Sequence, residues 1–129
     1  MIQLRALVLA VPCLFALASL ARAEAPRVES ASIVQEGAGW TVRALIRHPD
    51  SGWDHYASGW QILAPDRTVL ALAEITHPHP DGEPIREELT GLQLPEGVDH
   101  LLIRVRCTLD GWSARFYRLD IGTQVGVTR

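Results

Sequence analysis

Turn-forming residues interrupt this chain so often that a long helix has no room. Glu36-Gly-Ala-Gly39, Pro49-Asp-Ser-Gly52, Ala64-Pro-Asp-Arg67, His77–Pro84, Pro95-Glu-Gly97 and Asp110-Gly111 all punctuate it. They stand about 8–15 residues apart, the spacing of short antiparallel strands. The pattern predicts seven strands: 28–35, 40–47, 56–63, 68–75, 85–94, 98–108 and 113–121. Two alternate cleanly. Val42, Ala44 and Ile46 share one face against Thr41, Arg43 and Arg47. Leu101, Ile103, Val105 and Cys107 alternate with Leu102, Arg104 and Arg106. In a strand such rows become a core face and a solvent face. The expected fold is an all-β, seven-stranded antiparallel sandwich of the immunoglobulin or fibronectin type, with Trp60 on the third strand packed between the sheets. Gly59 within that strand predicts a bulge or a close backbone approach.

The first 23 residues read as a secretory signal peptide. Arg5 supplies a positive start, Ala6 to Ala21 is uncharged and mostly apolar, and Ala21-Arg22-Ala23 is a small-x-small cleavage site. The apolar run is about 16 residues, short of the roughly 20 that a membrane-spanning helix needs. The expected organisation is therefore a leader over residues 1–23 and a single β-sandwich domain over 24–129, in the periplasm or secreted, with no stable membrane insertion. Cys13 would leave with the leader, so Cys107 would stand alone without a disulfide partner. Arg5 and Arg22 would leave too, and ten arginines would face fifteen Asp and Glu residues, a net charge of −5. An acidic domain of that kind argues against nucleic acid or an anionic membrane as a partner. A periplasmic protein or a small ligand is the remaining class.

Two stretches spend unusual residues. Ser51-Gly-Trp-Asp-His-Tyr-Ala-Ser-Gly-Trp60 carries two of the four tryptophans, and His77-Pro-His-Pro-Asp-Gly-Glu-Pro84 carries two of the five histidines. His77 and His79 each precede a proline, which pushes both toward extended conformations. In a β conformation their imidazoles would face the same side; in polyproline II they would point apart. With His55 and Glu83 they form the candidate metal ligands, and neutral imidazole suits copper or zinc. Trp53 and Tyr56 form a candidate partner surface. Asp54 beside His55 points to the opposite face of an extended chain, which argues against a catalytic dyad and for a turn carboxylate. Cys107 lies on the inward alternation and is expected to behave as a small apolar group. The chain contains no H-E-x-x-H, G-x-S-x-G, P-loop or G-x-G-x-x-G motif.

Across roughly Val42 to Trp112 the chain resembles a group of small exported alphaproteobacterial proteins. These pair a G-W-D-H-Y-A-x-x-W segment, here Gly52 to Trp60, with an H-P-H-x-x-E-x-P-F segment, here His77 to Ile85. This chain departs at Ile85, where the pattern has Phe, at the extra Pro80, at Arg86-Glu-Glu-Leu89, and at Cys107-Thr-Leu-Asp-Gly111. The resemblance implies export and implies no activity. The first expectation for function is a non-enzymatic exported binding or accessory domain. The alternatives are a periplasmic copper or zinc protein using His55 and His77-Pro-His79, and a small periplasmic enzyme.

Overall fold

The computed structural model describes residues 24–79 and 82–122. The expected leader and the C-terminal tail lie outside the described residues. Eight strands follow in order: β1 (Arg27–Glu36), β2 (Gly39–Arg47), β3 (Ala57–Leu63), β4 (Val69–Glu74), β5 (Ile85–Leu92), β6 (His100–Cys107), β7 (Gly111–Trp112) and β8 (Tyr117–Asp120). They form two antiparallel sheets in a sandwich-like arrangement. One has the order β1-β2-β5; the other runs β4-β3-β6-β7, with β8 also paired to β6. Among the described residues there is no helix long and apolar enough to cross a membrane.

The alternating rows do what their spacing dictates. Val42 and Ile46 on β2, and Leu101, Ile103 and Val105 on β6, are fully buried and belong to one core cluster. Trp60 is fully buried among them. Burying a side chain of this kind stabilises the fold by about 1.5–3 kcal/mol. Thr41 departs from its expected outward place. It is buried, and its hydroxyl donates to Glu36 across the β1–β2 turn. That bond, with Arg43 beside it, holds the Glu36 carboxyl below its ordinary range.

The strand expected over 113–121 is broken, and this raises the count from seven to eight. Arg106 pairs with Trp112 and Ile103 with Tyr117, so four residues on the returning chain stand opposite two on β6. The Ser113 hydroxyl donates to the Arg115 carbonyl inside that excursion. The excursion lets Phe116 lie beside two guanidiniums, Arg67 at 5.0 Å and Arg104 at 5.3 Å from its ring centre. Trp112 is approached in the same way by Arg104 and Arg106. Cation–π attraction therefore shares this outer face with the ion pairs Arg106–Glu74 and Arg118–Asp120.

Gly59 meets both expectations placed on it. The β3–β6 register shifts between Ala57 and Gly59. A Cβ added there would lie 2.8 Å from Arg106 Nη2 and 3.2 Å from the Ala73 carbonyl oxygen. The guanidinium can move away but the strand carbonyl cannot. We expect Gly59→Ala to cost about 1–3 kcal/mol, read as a lower urea midpoint at unchanged slope.

Candidate metal centre

The inward row of β2 does not stop where the strand stops. His48 follows Val42, Ala44 and Ile46 at the same two-residue interval, and its side chain is fully buried. Pro49 holds His48 extended. The Asp50 amide then donates to the His48 carbonyl at 2.9 Å. This tight reversal returns the Asp50 carboxylate to the imidazole it follows, 2.5 Å from His48 Nδ1.

Asp50 is the hub of this end of the sandwich. Its Oδ1 also accepts the Ala57 amide at 2.9 Å, and its Oδ2 accepts the His79 amide at 2.7 Å. One buried carboxylate thus joins the end of β2, the start of β3 and the His77–Pro84 loop. A carboxylate only accepts, so Nδ1 of His48 carries the proton. Its Nε2 is buried with no hydrogen-bond partner among the described residues.

A second reversal places His55. Gly52 takes φ of 138°, a conformation open to glycine. The His55 amide donates to the Gly52 carbonyl at 3.2 Å, and the Ser51 amide to the His55 carbonyl at 2.9 Å. The His55 ring comes edge-on to His48, with centres 4.7 Å apart and an interplanar angle of 83°. His55 Nε2 is likewise buried and without a hydrogen-bond partner among the described residues.

The same loop is stitched to the end of β6. Thr108 donates its hydroxyl to the Asp54 carbonyl at 3.1 Å and its amide to the Tyr56 carbonyl at 3.0 Å. Its neighbour Cys107 is the last residue of the inward row of β6 and is buried. The Asp110 amide donates to Cys107 Sγ at 3.2 Å. One donor atom from each of His48, His55 and Cys107 lies within 4.8 Å of the other two. Zinc–nitrogen bonds of about 2.0–2.1 Å and zinc–sulfur bonds of about 2.3 Å put ligand atoms roughly 3.3–3.6 Å apart. A shared ion requires only a modest closing of this triangle. The Asp50–His48 pair supplies the carboxylate–imidazole support that orients metal-binding histidines.

The expected ligands divide. His55 belongs to the converging group. His77 and His79 do not, but stand next to it through the His79 amide. Their rings lie on the same side, with centres 4.5 Å apart and tilted by 32°. This is the outcome expected of an extended rather than a polyproline chain. Glu83 is exposed. Trp53 is 68% exposed and packs edge-on against the half-buried Tyr56, their rings 5.8 Å apart. Asp54 contributes its backbone carbonyl to the loop and takes no part in the triangle.

Sequence reasoning passed over His48 and took Cys107 as apolar filling. Both stand at the C-terminal end of an inward row. Extending each two-residue period to its end was the signal that could have found them.

Glu87 lies near the His77–His79 pair on the inward row of β5. Burial pushes its carboxyl above the ordinary range, opposed by the nearby Trp60 indole and by His79 and His77. The Trp60 indole N–H itself has no hydrogen bond of ordinary geometry. An acid whose pKa is raised by folding stabilises the fold while protonated. That contribution is lost as pH rises through the folded value. We expect Glu87→Gln to be more stable than the parent at neutral pH, by less than about 1 kcal/mol given its solvent screening. The difference should vanish below the ordinary carboxylate range, in unfolding curves recorded across pH.

Comparison with protein-family models, with curated proteins and with solved structures finds no match.

Proposed function

We propose that this domain is an exported, non-enzymatic metal-binding protein that holds one copper or zinc ion between His48, His55 and Cys107. The observation that carries the reading is the convergence of one donor atom each from His48, His55 and Cys107, beside buried Nε2 atoms of both histidines that have no hydrogen-bond partner among the described residues. A buried imidazole nitrogen without a hydrogen-bond partner is destabilising, and an ion bound to it relieves that cost. Two imidazoles and a thiolate suit copper and zinc better than calcium or magnesium, which take oxygen. The positive, apolar and small-residue pattern of residues 1–23 supports a periplasmic or secreted setting. The strand orders, with Trp60 buried on the third strand, support an immunoglobulin- or fibronectin-like sandwich as the scaffold.

A periplasmic protein partner is a second reading, favoured by the exposure of Trp53 beside Tyr56. Large exposed aromatics are common anchors of protein interfaces. Loss of a co-purifying partner on Trp53→Ala is its test.

The metal reading is tested by titrating the reduced protein with Zn(II) and Cu(I) against a chromophoric chelator. One tight equivalent is expected, abolished by His48→Ala and retained by the His77→Ala/His79→Ala double variant. Weak binding, equal in all three proteins, would remove the centre and leave His48 and His55 as a structural lock around Asp50.

A further inference from the structure

The three donors of the centre face inward, and an aqueous ion must shed its water to reach them. Exchange of water for protein ligands is easiest one donor at a time, so the approach to a buried centre matters as much as the centre. On one side of His48 lies a small cleft lined by Arg27, Arg47, Glu24 and Gly82. Its two guanidiniums are each paired with a carboxylate, Arg27 with Glu24 and Arg47 with Glu29. The His77–Pro–His79 segment reaches His48 through the Asp50 carboxylate.

Four observations concern that segment. His77 is exposed to solvent and His79 half-buried. Their imidazoles lie with centres 4.5 Å apart. His79 Nδ1 is buried with no hydrogen-bond partner among the described residues. The His79 amide is bound to Asp50 Oδ2, while Asp50 Oδ1 holds His48. The pair is thus graded from solvent to interior, and its inner end is two hydrogen bonds from a ligand of the centre. Half-buried Glu87 interacts electrostatically with both imidazoles.

We propose that His77 and His79 form a second, surface metal station that captures the ion and passes it inward to the His48–His55–Cys107 centre. This rests on the metal reading of that centre. The station is a place of capture and not of storage. Two imidazoles bind a copper or zinc ion weakly and release it readily to a set that adds a thiolate. Raising the local ion concentration at the mouth of a site speeds association without altering the final affinity.

The experiment is stopped-flow mixing of the reduced protein with Co(II), reading the thiolate-to-cobalt charge-transfer band of Cys107 as the ion reaches the centre. The variants are His77→Ala and His77→Ala/His79→Ala. Neither removes the His79 amide that binds Asp50, and the exposed His77 can be changed without disturbing the fold. The expected result is an unchanged final absorbance with a rate at least about 10-fold lower in the double variant, the low end of what local capture adds to an association rate. A weaker second equivalent should also disappear from the equilibrium titration. Equal rates and stoichiometry in all three proteins would overturn the station and leave the centre standing. Loss of the band in the double variant, with the fold retained, would overturn it differently, by making the pair part of the centre. No band in the parent protein would remove both.

Discussion

Replacing Asp50 by Ala is expected to lower the unfolding free energy by about 3–5 kcal/mol. The side chain is fully buried and accepts from three groups: His48 Nδ1, the Ala57 amide and the His79 amide. Hydrogen bonds to a charged group contribute about 1.5–3 kcal/mol each, and their losses do not simply add. Alanine leaves three buried donors without an acceptor at the point where two loops meet a strand. A domain of this size has only about 5–15 kcal/mol in all, so the variant should be close to its unfolding threshold. Asp50→Asn should be milder, because the amide oxygen still accepts, while its NH2 group faces a donor. Equilibrium urea unfolding of the three proteins gives the comparison. An alanine variant as stable as the parent would mean that the junction is held by packing alone. The asparagine variant carries the functional consequence. With His48 no longer held by a carboxylate, its metal affinity should fall about 10–100-fold.

The second large effect is the response of thermal stability to metal. Zinc at roughly 1,000 times its dissociation constant should stabilise the folded state by about 4 kcal/mol. For a domain of this length each kcal/mol moves the melting temperature by about 4–8 °C. The expected rise is therefore about 16 °C or more. Cys107→Ser should remove most of it. Four-ligand structural zinc sites are worth about 10–16 kcal/mol, or roughly 3 kcal/mol per ligand, so losing the thiolate should weaken binding about 100-fold. The quantity to compare is the rise caused by metal in each protein, since the serine substitution moves the baseline through its own buried hydroxyl. Equal rises in the two proteins would exclude Cys107 as a ligand.

The sandwich was largely legible because it follows from local periodicity. The rows Val42–Ile46 and Leu101–Cys107 declare their buried faces in the sequence, and the glycine and proline turns declare where each strand must end. The break between β7 and β8 was not legible. Ser113 to Phe116 look as strand-like as their neighbours, and the excursion sets Phe116 against Arg67 of the β3–β4 turn and Arg104 of β6, residues distant in sequence. The centre was legible only in part for the same reason. His55 drew notice by its company in Gly52–Trp60. His48 and Cys107 sit 59 positions apart in sequence. Nothing local says that the last residues of two inward rows meet at one end of the fold. Only the pairing of β3 with β6, and the loop that carries the chain from β2 to β3, bring them together. The H-x-H spacing at His77 and His79 was the louder signal, yet these two imidazoles stand beside the triangle and not within it.

The most direct test of the account is a crystal of the protein grown with Zn(II), with diffraction recorded on both sides of the zinc absorption edge. The expected result is one strong anomalous peak about 2.0–2.1 Å from imidazole nitrogens of His48 and His55 and about 2.3 Å from Cys107 Sγ, with Asp50 still bound to His48 Nδ1. A fully occupied peak confined to His77 and His79, or none within reach of Cys107, would contradict it.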